Sequence, residues 1–278
     1  MYNFRLKIYY KYIYRMELEY EDKLEEINLK DPVEVAGYKY SCDMDMKDIP
    51  KPLPSGIFRM GIVGKSGSGK SNLVQSLTQA TGKKKIYNRQ FSNVFIVSPS
   101  MKSQASRPKL PENRFYTGLK DLPEIINRIQ TEDEMEGRSL IILDDLGSEI
   151  KREGKDMIFL KQIFNNGRHI GRPLINEETG EVEEPGAISV MITAQKLTQL
   201  APYIRSQLTH LCLFDCRNTK SELQTLYEEF FSCEKCLFNE MLYRVFSVPY
   251  NFIFMDTQKS QIYNGFKSRF NIKNKVYL

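Results

Sequence analysis

The octet Gly64-Lys65-Ser66-Gly67-Ser68-Gly69-Lys70-Ser71 matches the spacing G-x-x-x-x-G-K-[ST] without a gap. Gly64, Gly67 and Gly69 lack a Cβ, so the backbone there can curl with its N–H groups turned inward around phosphate oxygens. A helix starting near Lys70 adds the positive end of its dipole at the same spot. In this arrangement Lys70 reaches the β- and γ-phosphates of ATP, and the Ser71 hydroxyl ligates Mg²⁺. Lys65, Ser66 and Ser68 complete the nucleotide-binding loop, the two serines keeping it small and polar. The surroundings agree, because the apolar run Phe58–Val63 precedes the octet and a helical pattern follows it.

Further along, Leu140-Ile141-Ile142-Leu143 is followed by Asp144-Asp145. Four consecutive apolar residues suit a strand buried on both faces of a parallel sheet. Acids at the carboxyl end of such a strand lie where doubly wound sheets bind ligands. Asp144 is therefore expected to hold Mg²⁺, directly or through water, and Asp145 to orient or deprotonate the attacking water.

Between and beyond these motifs strands alternate with helices, the rhythm of a parallel sheet. Helices are expected over Ser71–Thr81, Leu122–Ile129, Asp156–Asn165 and Ser221–Phe231. Strands are expected over Val94–Val97, Ile188–Thr193, His210–Phe214 and Phe252–Met255. Ser103–Arg114 reads as a basic, proline-containing loop and Pro173–Pro185 as an acidic surface insertion. The fold class is thus α/β, a mostly parallel sheet with helices on both faces.

The first 54 residues read differently. Phe4–Tyr14 is aromatic and β-branched, as in an edge strand. Glu17–Asn28 is acidic and helix-like. Met16 is the expected start of the functional chain, with the first fifteen residues dispensable. Pro50, Pro52 and Pro54 read as a stiff linker, giving an appendage over 1–54 and an ATPase domain over 55–278.

The 278 residues include 41% hydrophobic and 27% charged side chains, a soluble composition. No run approaches the roughly 18 apolar residues of a membrane span, and no secretory leader is expected. The net charge of +5 is uneven: residues 16–50 are acidic, and the remainder is basic enough for a polyanionic partner.

The series Phe58-Arg59-Met60, Asp144-Asp145-Leu146-Gly147, Asn166-Gly167-Arg168-His169, Thr193-Ala194-Gln195, Arg205 and Thr209-His210-Leu211 resembles the genome-packaging ATPases of large DNA viruses and virophages. These form the poxvirus-like branch of the FtsK–HerA superfamily. The resemblance covers roughly residues 55–260. It implies a RecA-like core in a homo-oligomeric ring, pentamer or hexamer, that pumps double-stranded DNA into a preformed capsid. The partners would be that DNA and a capsid or portal-vertex protein, in the host cytoplasm (virus factory) or the virion. It also implies that Gln195 contacts the γ-phosphate or the attacking water, for which a side-chain amide that donates and accepts is suited. Arg168 and Arg205 are both candidates for an arginine finger acting on a neighbouring subunit's nucleotide.

Such a ring holds the DNA backbone through lysines and arginines. Lys151, Arg152 and Lys155 form one candidate set, and Lys102, Arg107, Lys109 and Arg114 another. Cys212-x3-Cys216 with Cys233-x2-Cys236 invites a zinc site, set against buried or free thiols. Two other functions remain open on the residues alone. One is a nucleoside or nucleotide kinase, and the other an assembly switch that binds ATP with negligible turnover.

Overall fold

In the computed structural model, residues 44–271 are described except 80–85, 88, 101–109, 151–155 and 217–219. The expected N-terminal strand, acidic helix and dispensable leader lie outside the described residues. So do Lys102, Arg107, Lys109, Lys151, Arg152, Lys155 and Cys42.

Along the chain come β1 (Arg59–Val63), α1 (Lys70–Gln79), β2 (Asn93–Val97), β3 (Phe115–Tyr116) and α2 (Leu122–Thr131). They are followed by β4 (Ser139–Leu143), α3 (Gly147–Ile150) and α4 (Asp156–Asn166). Next are β5 (Leu174–Ile175), β6 (Val182–Glu184), β7 (Ile188–Ala194), α5 (Pro202–Gln207) and β8 (His210–Phe214). The last are α6 (Lys220–Phe230), α7 (Lys235–Phe246), β9 (Phe252–Asp256), β10 (Gln261–Asn264) and β11 (Ser268–Arg269).

Nine strands form one sheet in the order β11-β10-β9-β8-β1-β7-β4-β2-β3. The six from β3 to β8 pair in parallel, whereas β9, β10 and β11 are antiparallel additions at one edge. The central strands β4, β7 and β8 are buried at every position, which is why their sequences do not alternate. Each large apolar side chain buried here contributes about 1.5–3 kcal/mol. On one face α1 lays Val74 and Leu77 against Met60, Ile62, Ile142, Met191, Cys212 and Phe214. The buried residues of α2 and α4 belong to no part of that cluster. Those helices pack on each other, and α4 packs on β7, so they cover the opposite face.

One boundary differs from the sequence reading. Among the described residues the proline stretch is part of the same compact unit as the sheet, not a separate linker. Met46 and Leu53 are buried in its core, and the Tyr87 hydroxyl donates to the Pro54 carbonyl at 2.8 Å. The acidic insertion is ordered as the antiparallel pair β5–β6. There Glu184 accepts from Ser92 Oγ at 2.7 Å and from the Arg138 amide at 3.1 Å. Among the described residues no helix is long and apolar enough to cross a membrane.

His210 opens β8 and stacks on Phe254, ring centroids 5.6 Å apart. Burial pushes its imidazole down to about 4, against the opposing pull of Asp256. In the unfolded chain histidine titrates near 6.5, so the unfolded state takes up the proton first. Stability from this group is present above about pH 6.5 and is lost as pH falls towards 4. Between pH 7 and 4.5 the loss is expected to be about 2 kcal/mol. Urea titrations at the two pH values should show His210→Gln losing correspondingly less. An equal loss in both proteins would refute the assignment.

Candidate nucleotide site

The carboxyl ends of the parallel strands lie side by side and carry the polar residues. Gly64 follows β1, Ser98 follows β2, Asp144 and Asp145 follow β4, Gln195 follows β7, and Asp215 follows β8. Strand β7 lies between β1 and β4, so Gln195 sits between the glycine loop and the two acids.

The loop geometry explains its glycines. Gly67 and Gly69 have φ of 74° and 105°, left-handed values that favour glycine. A Cβ on Gly64 would lie 2.6 Å from both Phe214 Cβ and Ser68 Oγ, so no side chain fits there. Lys70 Nζ donates to the carbonyls of Gly64 at 2.6 Å and Lys65 at 3.0 Å, which closes the ammonium over the loop. Burial draws its pKa down, while Asp145 and then Asp144 draw it back up, so the ammonium lies within electrostatic reach of both acids. Lys65 points away, paired with Asp215 at 2.7 Å. Ser68 Oγ is buried without a hydrogen-bond partner. A close-packed glycine curl with a lysine across it and an unsatisfied hydroxyl beneath it fits a polyphosphate. Ser71 is exposed on the first turn of α1. Its hydroxyl and the Asp144 carboxylate are hard oxygen donors, as Mg²⁺ requires, and that ion usually keeps several waters.

The acids are held by a residue whose role the sequence did not reveal. Thr193 Oγ1 donates to Asp144 Oδ1 at 2.7 Å and accepts the Asp145 amide at 3.0 Å. Ser98 Oγ, also unforeseen, approaches Asp144 Oδ2 at 3.4 Å. Asp144 is only 8% exposed, so these hydroxyls fix its orientation. Asp145 is exposed and adopts φ of 56°, a conformation that aspartate tolerates better than most residues. Gln195 Nε2 reaches Asp145 Oδ1 at 3.3 Å. The Gln195 amide in turn donates to Gln199 Oε1 at 2.8 Å, and Gln199 packs against Gly147. The segments leaving β4 and β7 are thereby tied together beside the loop.

Residues 50–242 match the model of the family described as Poxvirus A32 protein. The chain belongs to this family. Among solved structures, the genome packaging NTPase B204 from Sulfolobus turreted icosahedral virus 2, bound to AMPPCP, is similar over 74% of this chain and 95% of its own. Identity is 13% and the TM-score 0.51. B204 from Sulfolobus Turreted Icosahedral Virus, described as a DNA-packaging ATPase, covers the same shares at 14% identity and TM-score 0.50. At such identity the likeness is one of fold, a P-loop ATPase core of RecA-like type. No curated protein sequence matches the chain.

In this A32-family chain the two finger candidates part company. Arg205 is 9% exposed and grips Glu229 with Nε at 2.6 Å and Nη2 at 2.5 Å, while Nη1 donates to the Leu200 carbonyl at 2.7 Å. Its fork is occupied within the subunit, so the finger role expected of it does not fit. Arg205→Ala is expected to lower the unfolding free energy by about 2–3 kcal/mol in a urea titration, since it strands Glu229 and the Leu200 carbonyl. A variant as stable as wild type but slower in turnover would return Arg205 to the catalytic candidates.

Arg168 is exposed on the turn Gly167–His169, its Nε donating to His169 Nε2 at 3.1 Å. That turn packs on Ile188, where a Cβ on Gly167 would lie 2.9 Å from the carbonyl oxygen. Ile188 is the first residue of β7 and Gln195 follows its last. At about 3.3 Å per residue the two ends are roughly 20 Å apart. Arg168 therefore stands at the opposite end of the sheet from its own subunit's site.

Arg114, offered above for DNA, lies over the Phe95 ring at 4.7 Å and donates to Asn93 Oδ1 at 3.2 Å. This ties it to the body. Cys212 Sγ lies 4.0 Å from Met60 Sδ in the core, and Cys216 Sγ donates to the Phe214 carbonyl at 3.2 Å. Burial raises both thiol pKa values, that of Cys216 to about 12, which keeps the thiols protonated and poor metal ligands.

Proposed function

We propose that this protein is an ATP-hydrolysing motor that drives double-stranded DNA into a preformed viral capsid. In this reading it works as a homo-oligomeric ring of five or six copies, in the host cytoplasm or the virion. The observation that carries the proposal is the junction of Gln195 and Asp145 on neighbouring strand tips beside the phosphate loop, in a chain of the A32 family. It gives the site a carboxylate to take a proton and an amide to hold a water, which a simple nucleotide store does not need.

The roles follow from placement. The loop amides and Lys70 bind the β- and γ-phosphates, and Ser71 and Asp144 would hold Mg²⁺. When bound, that ion supplies positive charge against the phosphate oxygens. Asp145 accepts the proton of the attacking water while Gln195 orients it. In this reading Arg168 acts on a neighbouring copy's nucleotide, which its distance from its own subunit's site supports. The basic segments containing Lys102, Arg107 and Lys109, and Lys151, Arg152 and Lys155, follow the tips of β2 and β4 in sequence. They are the proposed contacts to the DNA backbone.

The test is ATP hydrolysis with and without double-stranded DNA, measured alongside mass in solution. The expected result is DNA-stimulated turnover by a five- or six-copy assembly, with Arg168→Ala assembling normally but losing turnover by about 10³-fold or more. Phosphate transfer to a nucleoside would replace the motor with a kinase. Nucleotide binding without turnover would replace it with an assembly switch.

A further inference from the structure

Beyond the phosphate loop, an aromatic residue stands on the side where a nucleoside would leave the site. The γ-phosphate end of the site is marked by Asp145 and Gln195, on the β4 and β7 side of the loop. The far end of a bound triphosphate therefore points the other way, past β1 towards β8 and β9. Because β9 is antiparallel to β8, Phe252 at its start pairs with Phe214 at the end of β8. The residues just before β9 are thus brought to the same edge of the sheet as the loop.

Tyr250 is one of them. A Cβ on Gly69 would lie 3.8 Å from Tyr250 Cδ1 and 3.7 Å from Phe214 Cε1, so the Tyr250 ring borders the loop itself. The residue is nevertheless 75% exposed. Tyr250 also holds φ of 59°, left-handed backbone that is uncommon for a bulky aromatic and costs on the order of 1 kcal/mol or more. The turn is built to hold it there. Pro249 precedes it, the Asn251 amide donates to the Val248 carbonyl at 3.3 Å, and Asn251 Nδ2 donates to Asn264 Oδ1 at 2.7 Å and the Val245 carbonyl at 3.2 Å. Phe214, which also borders Gly69, meets Phe252 in a tilted contact and Phe252 meets Phe266 edge-on, with centroids 5.0 Å apart at each step. A strained, open aromatic at the mouth of a phosphate site gains little from packing, and its exposure leaves room for a flat ligand.

We propose that Tyr250 stacks on the nucleobase of the triphosphate held by the loop, and that this contact accepts any base. Base tolerance follows because every nucleobase presents a π-face, and stacking carries no hydrogen-bond code. The proposal rests on the loop binding a nucleoside triphosphate, so its test separates the two.

Binding of ATP, GTP and inorganic tripolyphosphate is compared in the full chain and in Tyr250→Ala, Tyr250→Phe and Tyr250→Trp. Tyr250→Ala is expected to weaken ATP and GTP by about 5- to 30-fold and to leave tripolyphosphate unchanged, with Tyr250→Phe close to wild type. The chain has no tryptophan, so Tyr250→Trp adds a single reporter, expected to be quenched by ATP and not by tripolyphosphate. Unchanged ATP affinity in Tyr250→Ala together with an unquenched Tyr250→Trp would overturn stacking. Equal weakening of ATP and tripolyphosphate would also overturn it, since that marks damage to the loop. Wild-type protein that binds neither would remove the phosphate site and this proposal with it.

Discussion

Lys70→Ala is expected to reduce ATP turnover by about 10³-fold or more, with the protein still folded. Losing one preorganised donor to a developing negative charge already costs about 10²–10³ in rate, and here the donor is a full positive charge. The structure indicates why the fold should survive. Among the described residues Lys70 Nζ donates only to the carbonyls of Gly64 and Lys65, both in the loop itself. Its loss takes from Asp144 and Asp145 an ammonium within their electrostatic reach, so the phosphate pocket becomes more repulsive to an anion. A second readout follows from linkage. Saturating ATP stabilises a binding protein by about 2.7 kcal/mol at a hundred times Kd, and this thermal protection should vanish in the variant. Turnover within tenfold of wild type, with ATP still protecting, would mean that the phosphates lodge elsewhere. Lys70→Arg should not rescue, because a planar fork cannot enter a curl in which even a Cβ on Gly64 meets two atoms at 2.6 Å.

How far the sequence carried this picture can be judged residue by residue. The central strands were legible because burial on both faces leaves an unbroken apolar run, as in Leu140–Leu143. The loop was legible because its chemistry fixes both residue type and spacing. Phe252–Met255 was legible as a strand but not in direction, since an apolar run reads the same either way. Its antiparallel pairing depends on the hairpin to β10, whose own sequence, Gln261–Asn264, is mostly polar. Helix α7 was overlooked even though Phe238, Met241 and Val245 are buried at helical spacing. The pair Cys233 and Cys236 at its start suggested metal instead.

The candidate site divides along the same line. Asp144 stood out as an acid ending an apolar strand and Gln195 through the family resemblance, whereas the role of Thr193, inside a strand, did not show. Its position beside Asp144 follows from the pairing of Leu143 with Ile192, and such a register is a tertiary fact. Arg205 shows the converse error. A guanidinium in a family motif suggested catalysis, but Glu229, its partner 24 residues further on, becomes visible only once α5 and α6 are packed. The three prolines misled for a similar reason. Stiffness was legible in them, but not the burial of Met46 ahead of them and Leu53 among them.

Asp145→Asn should separate binding from hydrolysis more cleanly than any other change in the site. The amide is nearly isosteric, keeps the backbone N–H bonded to Thr193 Oγ1, and can still meet Gln195, with its oxygen accepting from Nε2. What it loses is the capacity to take a proton from water. General-base catalysis is worth about 10²–10⁴-fold, and turnover is expected to fall within that range. ATP affinity should hold or rise, because one negative charge facing the γ-phosphate has gone. Asp144→Asn makes the useful contrast. That carboxylate is fixed by Thr193 and is placed to share the cation with Ser71, so its loss should weaken nucleotide binding in the presence of Mg²⁺ as well as turnover. Measuring Kd for ATP and single-turnover hydrolysis in both variants distinguishes the roles. If Asp145→Asn hydrolyses at the wild-type rate while Asp144→Asn alone abolishes proton transfer, the two acids have been assigned the wrong way round. Their different settings, one buried and hydroxyl-bound and the other exposed beside an amide, would then need another explanation.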